Sequence, residues 1–374
     1  MSKAYLATVT ALTACVAVGT ALAAQQPRIT NGQVSNRPAG TLAQTFRSLV
    51  GAQLDVAWIG YSVPVKDRDQ VMCCWSSGDS YISGSMRAGN APCCGSCRLE
   101  PSASRGGPAA VTQSPSGGTG PVKLEGPERV VVLVRIVDKQ VERVRVFSED
   151  CELDAGGRPV HWLDNVQPAE SVALLESLVG NEPERKSRIT NSALHAIAEH
   201  AEPSAGTALE RLATRHAAST VRSEALFWLA QRGDANAPAI ILNAIDKDAA
   251  ADVRKRAVFA LSQLRDDRGV DALIRVARTH SDAPVRGEAI FWLGQKAGKK
   301  AAGTITDAIE KDPETEVKRR AVFALSQLPK DEGVPLLIEI ARKNTNPVVR
   351  KQAIFWLGQS KDPRAIEFFA EILK

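Results

Sequence analysis

Five valines set the dominant pattern of the chain: Val221, Val253, Val285, Val317 and Val349 stand 32 residues apart. Each is followed by a basic residue, Arg222, Arg254, Arg286, Lys318 and Arg350. Phe227, Phe259, Phe291, Phe323 and Phe355 keep the same register, as do Gln231, Gln263, Gln295, Gln327 and Gln359. With the valine as zero, apolar residues at 0, 4, 7 and 8 form one helical stripe, and an aliphatic at 5 and the Phe at 6 fall on its flanks. A helix that is apolar on three sides must touch a partner helix and the copies before and after it, so these Phe residues are expected in the core of a stacked solenoid. Position 7 alternates Trp228, Ala260, Trp292, Ala324, Trp356, large against small, which fills layers without overpacking. A second helix follows in each copy, as in VDALIRVARTH and VPLLIEIARK, after turn residues such as Arg268-Gly269 and Glu332-Gly333. Asp312-Pro313 supplies a cap and a first-turn proline. A degenerate sixth copy starts near Ile189, with His195 in place of the Phe.

The stretches VRKRAVFALSQL, VDALIRVA and APVRGEAIFWLG resemble the HEAT-like repeat, in the short variety shared with the phycobilisome bilin lyases. The resemblance covers about residues 187–374. It implies a right-handed α-solenoid of about six HEAT-like helix pairs, a fold that serves scaffolds, adaptors and occasionally enzymes. The basic ladder Arg222, Arg254, Arg286, Lys318 and Arg350 is expected to bond acceptors of adjacent copies, with an anionic partner as the alternative. On the second helices Asn243, Arg275, Asp307, Glu339 and Glu371 share one register but not one chemistry. A surface that varies over a repeated core can encode a specific protein partner, so it is the expected contact face.

The first half is patterned differently. Residues 42–50 suit one amphipathic helix and 56–65 a strand. VVVLVRIV and QVERVRVF flank Asp138-Lys139 as a hairpin, and a further strand is expected at 159–163. Between them residues 73–127 place Gly, Ser and Pro among cysteines and run into a low-complexity loop, about 102–120. Residues 42–165 are therefore read as a small β-rich domain, 24–41 as a polar spacer and 166–186 as a connecting helix. The fold class is α+β, a disulfide-containing N-terminal domain followed by the solenoid.

Composition narrows the function. Forty-seven Lys plus Arg against forty-two Asp plus Glu gives a net charge of +5, too thin for the phosphate-neutralising face of a nucleic-acid binder. Met1–Lys3, the apolar run from Ala4 and Ala21-Leu22-Ala23 read as a secretory signal over 1–23, predicting a secreted or periplasmic protein with no later membrane span. A lipobox at Leu12-Thr13-Ala14-Cys15 and an uncleaved anchor of about 20 residues are the alternatives. Removing Cys15 leaves Cys73, Cys74, Cys93, Cys94, Cys97 and Cys151, an even set suited to disulfides in an oxidising compartment. A zinc site using Cys73 or Cys74 with Cys94 and Cys97, and a redox pair Cys94/Cys97, are the rival readings.

No catalytic constellation, metal site or cofactor motif stands out. His216 and His280 are equivalent positions two copies apart, the pair Glu199-His200 is a weak metal signal, and Gly78-Asp79-Ser80 and GQKAGKK break the hydrolase and P-loop patterns they approach. The sequence thus points to an exported protein-binding scaffold or adaptor acting through the solenoid surface. The alternative is an enzyme with lyase-like activity or thiol chemistry at Cys94/Cys97, and no small-molecule ligand is legible.

Overall fold

The computed structural model describes residues 26–77, 80–87, 97–100, 127–180, 185–264, 267–296 and 298–373. The signal segment, the lipobox, Cys93, Cys94 and the 102–120 loop lie outside the described residues, as do the side chains of Cys73 and Cys74.

The N-terminal half is built on a five-stranded mixed sheet in the order β2 (Gln33–Pro38), β10 (Pro159–Asp164), β3 (Ala57–Pro64), β7 (Arg129–Val137), β8 (Gln140–Ser148). The expected hairpin is β7–β8, and Asp138 and Lys139 both take positive φ, 49° and 59°, as a two-residue turn between twisted strands requires. β10 runs parallel to both β2 and β3. Residues 33–38, read as part of a polar spacer, are thus an edge strand; an edge needs no apolar face, and this one is largely exposed. Cys73 and Cys74, expected among loop residues, lie in β4 (Gln70–Ser77), which pairs with β5 (Ser80–Arg87).

Both faces of the main sheet are covered, which is why β7 is apolar almost throughout. One face packs with Trp58, Phe147, Val160 and Trp162 against the short sheet β1 (Ile29–Thr30), β9 (Leu153–Asp154), β6 (Cys97–Arg98). The other carries Tyr61, Val132 and Val146 and packs on α1 (Leu42–Ala52), α2 (Pro168–Ser177) and α3 (Arg185–Glu199). This second core continues without a break into the helical half, so the expected small domain and the solenoid share one interior.

Cys151 departs from its expected role. It is a free, fully buried thiol that donates to the Met72 carbonyl at 3.1 Å. Burial, with the Asp150 charge, pushes it up to about 12, so it stays protonated and acts as a small apolar side chain with one weak donor.

The helical half runs α4 (Pro203–Arg215), α5 (Ser219–Arg232), α6 (Ala237–Lys247), α7 (Ala251–Ser262), α8 (Asp267–Thr279), α9 (Ala283–Lys296), α10 (Gly298–Lys311), α11 (Thr315–Ser326), α12 (Lys330–Lys343), α13 (Pro347–Gln359) and α14 (Pro363–Ile372). Odd helices from α3 to α13 hold the six registers of the repeat. They stack on one another extensively and the even helices hardly do, so the array curves toward the odd-helix face. The intimate hairpins are α4–α5, α6–α7, α8–α9, α10–α11 and α12–α13. The structural unit is therefore shifted by one helix from the valine-first phase of the sequence pattern: each outer helix pairs with the inner helix that follows it.

Close stacking depends on small residues. A Cβ on Gly294 would lie 2.8 Å from the Ala324 carbonyl oxygen and 2.9 Å from its Cα, backbone of the next inner helix that cannot rotate away. Gly294→Ala is expected to lower the urea midpoint, because an overpacking cost of about 1–3 kcal/mol outweighs the helix-propensity gain of up to about 1 kcal/mol.

Candidate interaction surface

On a helix each residue turns the chain by about 100°, which sets position 6 nearly opposite position 4. The buried core is accordingly made by positions 0, 4, 5 and 8: Val253, Ala257, Val258 and Leu261 are all at 0% exposure. The five Phe at position 6 are not in it. Four are half-buried and Phe355 is 52% exposed, on the inner face of the array. The sequence expectation of core phenylalanines is corrected here: the rings pack on each other rather than beneath the helices.

The packing is continuous. Phe227 lies parallel to Phe259 at 5.8 Å and Phe291 to Phe323 at 5.9 Å, ring centre to ring centre. Trp292 lies on Phe259 at 4.8 Å and Trp356 on Phe323 at 5.0 Å. Trp228 stacks on His195 at 4.5 Å, extending the row into the degenerate copy, and edge-to-face contacts within the FW pairs close the gaps. The parallel pairs Phe227–Phe259 and Phe291–Phe323 cover one face of each of these rings and leave their edges, the electropositive part of an aromatic ring, for other partners.

Charged and amide rows flank it. Position 3 reads Glu224, Arg256, Glu288, Arg320, and adjacent copies pair as Arg256–Glu224 at 3.3 Å and Arg320–Glu288 at 3.6 Å. The Arg256 guanidinium also sits 4.9 Å over Phe259. The Gln row runs beside it, and the Gln295 amide donates to Gln327 Oε1 at 3.5 Å.

The basic ladder occupies the other edge and is spent on structure. Arg222 holds Asp248 with two hydrogen bonds of 2.8 Å while its Nη1 donates to the carbonyls of His216 and Ala217. Arg286 does the same with Asp312, His280 and Ser281, and Arg254 holds Asp282 with one hydrogen bond of 2.9 Å while its Nη1 donates to the carbonyls of Asp248 and Ala249. Arg222 holds Asp248 well below the usual carboxylate range, as Arg254 does Asp282. Lys318 reaches the Glu310 carbonyl, and Arg350 those of Asn344 and Thr345. His216 and His280 each accept a backbone N–H two residues on, the same turn-building job in equivalent copies.

Asn243, Arg275, Asp307, Glu339 and Glu371 lie on the outer helices. Asp307 pairs with Lys311 and Arg278, Glu339 with Lys343, and Glu371 with Arg342.

A polar cluster that sequence alone did not assemble lies where sheet meets array. Ser171 Oγ is 2.8 Å from His200 Nε2 and 2.9 Å from the Tyr61 hydroxyl, all three fully buried. His200 Nδ1 faces the Ala196 carbonyl at 2.6 Å, so it must carry the proton. Nε2 then accepts from Ser171, whose oxygen accepts from Tyr61. A serine beside a histidine suggests a nucleophile, but no substrate can reach this one. Around it Val65 bridges to His200, the Lys66 N–H donates to the Glu199 carbonyl, and the Ala201 N–H donates to that of Pro64, so sheet backbone runs onto the turn between α3 and α4. Arg232, buried, donates to the carbonyls of Ala198, His200 and Glu202 and pairs with Asp234, which also holds Lys66.

His161 bridges Ser35 and Gln53, and burial holds it below its ordinary range. Among the described residues no group of three His, Cys, Asp or Glu side chains is placed to hold a metal ion.

The repeat, its inner stacking and the spacing of its units agree with one family, whose description is HEAT repeats and whose match runs over residues 212–294 and 302–374. These residues are HEAT repeats. The match leaves out α3 and most of α4, where the degenerate copy lies. Solved structures with a similar chain path include YibA of Escherichia coli (20% identity, 55% of this chain, 76% of that one, TM-score 0.33). AlkD2 of Streptococcus mutans aligns at 16% identity over 51% of this chain and 97% of its own, TM-score 0.38. The CpcE–CpcF complex of phycocyanin lyase from Nostoc aligns at 20% identity, 55% and 81%, TM-score 0.30. No curated protein matches the sequence. Among the described residues no helix is long and apolar enough to cross a membrane.

Proposed function

We propose that this chain is an exported protein-binding scaffold whose HEAT array grips a polypeptide along its inner face. The observation that carries the reading is the unbroken aromatic row from His195 to Phe355 on the concave side. Its ring edges favour carbonyl and carboxylate oxygens, and the Gln row beside it can bond an extended backbone. The varied outer register at Asn243, Arg275, Asp307, Glu339 and Glu371 is a second contact surface in this proposal, but three of its five members are already held in ion pairs. Export rests on the N-terminal signal pattern. Cross-linking of Cys73, Cys74, Cys93 and Cys94 with Cys97 belongs to the same proposal.

The test is selection of peptides from a random library on the full chain. Selected peptides are expected to bind Phe259→Ser/Phe323→Ser at least about tenfold more weakly, a loss of the order one buried anchor supplies, and to bind Asn243→Lys/Glu339→Lys as before. Failure to enrich any peptide, or equal binding to the aromatic variant, overturns the inner-face reading. For export, expression in a secreting bacterium is expected to yield a mature N-terminus at Ala24; a retained N-terminus refutes it.

A further inference from the structure

The inner face repeats itself at twice the period of the fold. RAVFALSQL occupies residues 256–264 and again 320–328, identical throughout, and EALFWLAQ at 224–231 returns as EAIFWLGQ at 288–295. The two changes, Leu226 to Ile290 and Ala230 to Gly294, are both buried. What these stretches turn toward the concave side is therefore the same in α5 with α7 and in α9 with α11: one parallel Phe pair, one Trp, two Gln and one Glu–Arg pair between neighbouring copies. The outer helices keep no such identity. Across the same 64-residue step the exposed Asn243 and Arg275 give way to Asp307 and Glu339. Packing explains sameness at buried positions, but the Glu–Arg pairs are partly exposed, where such pairs add little to stability. Sameness at positions that packing leaves free is what a shared contact with one kind of ligand imposes. In α13 Gln352 stands where the acid would be, so the described residues hold two complete units.

We propose, building on the inner-face reading above, that the polypeptide held there carries one short motif at least twice, each copy seated on one unit of two inner helices. Neighbouring inner helices stand about 8–10 Å apart, so equivalent points of the two units are about 16–20 Å apart, a distance that about five or six residues of extended chain span. The matching partner is thus a tandem-repeat segment with a period of about five or six residues, not a chain of unrelated anchors. Each copy of the motif supplies oxygen acceptors to the Phe ring edges and backbone groups to the Gln pair. Two weak seats in series then act as one strong one, because docking the first copy raises the effective concentration of the second.

The test uses the full chain and a random library of peptides of about six residues, displayed in two forms: each sequence once, and each sequence as its direct tandem. One enriched peptide, synthesised in both forms, is measured by titration calorimetry. The single form is expected to bind at two equivalent sites per chain and the tandem at one, about a hundredfold more tightly. Phe259→Ser and Phe323→Ser, one change in each unit, should each leave the single form one site of unaltered affinity and bring the tandem down to about the affinity of the single form. Retained circular dichroism shows that each variant folds, and the two stoichiometries on the parent need no variant. A single form that binds once per chain, a tandem no tighter than its single form, or unequal losses in the two variants overturns the proposal. If any of these occurs while Phe259→Ser/Phe323→Ser still weakens the single form, the inner face remains the contact site and only the tandem motif is lost; a library that enriches nothing removes both.

Discussion

Arg286→Ala is expected to destabilise the helical array by about 3 kcal/mol, read as a fall in the urea midpoint, with Arg222→Ala close behind. The cost comes less from the lost attraction than from what is stranded. Arg286 is 8% exposed and Asp312 9%; without the guanidinium a carboxylate is left in the interior and the His280 and Ser281 carbonyls lose their shared donor. Burial pushes Asp312 up, but the Arg286 hydrogen bonds and the Glu314 N–H outweigh it, so the carboxyl is held below its ordinary range. A carboxylate depressed in the folded state contributes stability above its unfolded pKa and loses it as pH falls through the folded value. The difference between parent and Arg286→Ala should therefore be largest near neutrality and shrink below about pH 4. The chain supplies its own control. Twenty-six residues separate Arg222 from Asp248 and Arg286 from Asp312, and at the same spacing the sequence carries Lys318 and Asn344, both members changed together. Arg286→Lys/Asp312→Asn, which copies that pair, should be milder than Arg286→Ala. A double variant as damaging as the single one would show that the stranded carboxylate is not the source of the loss.

The helical half was legible because a period of 32 residues survives substitution: six registers with two helices each follow from spacing, while the bonding of the Arg ladder was expected from the resemblance to HEAT-like repeats. Two features did not follow. The phase of the unit is set by which hairpin is tighter, and that depends on turns such as Asp248–Ala250 and their clamps, not on the apolar stripe. The Phe row was read as core since aromatic residues at helical spacing usually are, and only the angle between positions 4 and 6 argues otherwise. In the first half, local signals placed α1, β3 and the β7–β8 hairpin, while the parallel pairing of β10 with β2 joins residues far apart, and β2 hides its role behind edge-strand polarity. Cys151 illustrates the limit of counting: an even number of cysteines suggested a partner, yet its sulfur is enclosed by Met72 and the β-sheet core.

His200 shows a further kind of illegibility, and it carries the second large effect. Its partner Ser171 lies 29 residues earlier, in α2, and Tyr61 a further 110 residues back, on β3, so no motif announces them. Burial, opposed by the Ala196 carbonyl and assisted by the Arg232 charge, lowers its pKa to about 4, with Glu199 and Glu202 pulling the other way. The unfolded chain, with an ordinary imidazole near 6.5, binds the proton more readily than the folded one. Stability therefore falls as pH drops from about 6.5 toward 4 and flattens below, where both states are protonated; this one residue is expected to remove roughly 3 kcal/mol across that window. The protonated ring has no acceptor at Nε2 except the Ser171 oxygen, whose own proton would have to turn away, so the weld between sheet and array is the first part to suffer. In His200→Gln the side chain keeps a polar group in the cluster but cannot titrate. Urea unfolding at pH 7, 5.5 and 4.5 should then show the variant less stable than the parent at pH 7, with the gap closing or reversing on acidification. Parallel pH profiles for parent and variant would mean that the buried imidazole is not what couples this joint to protons.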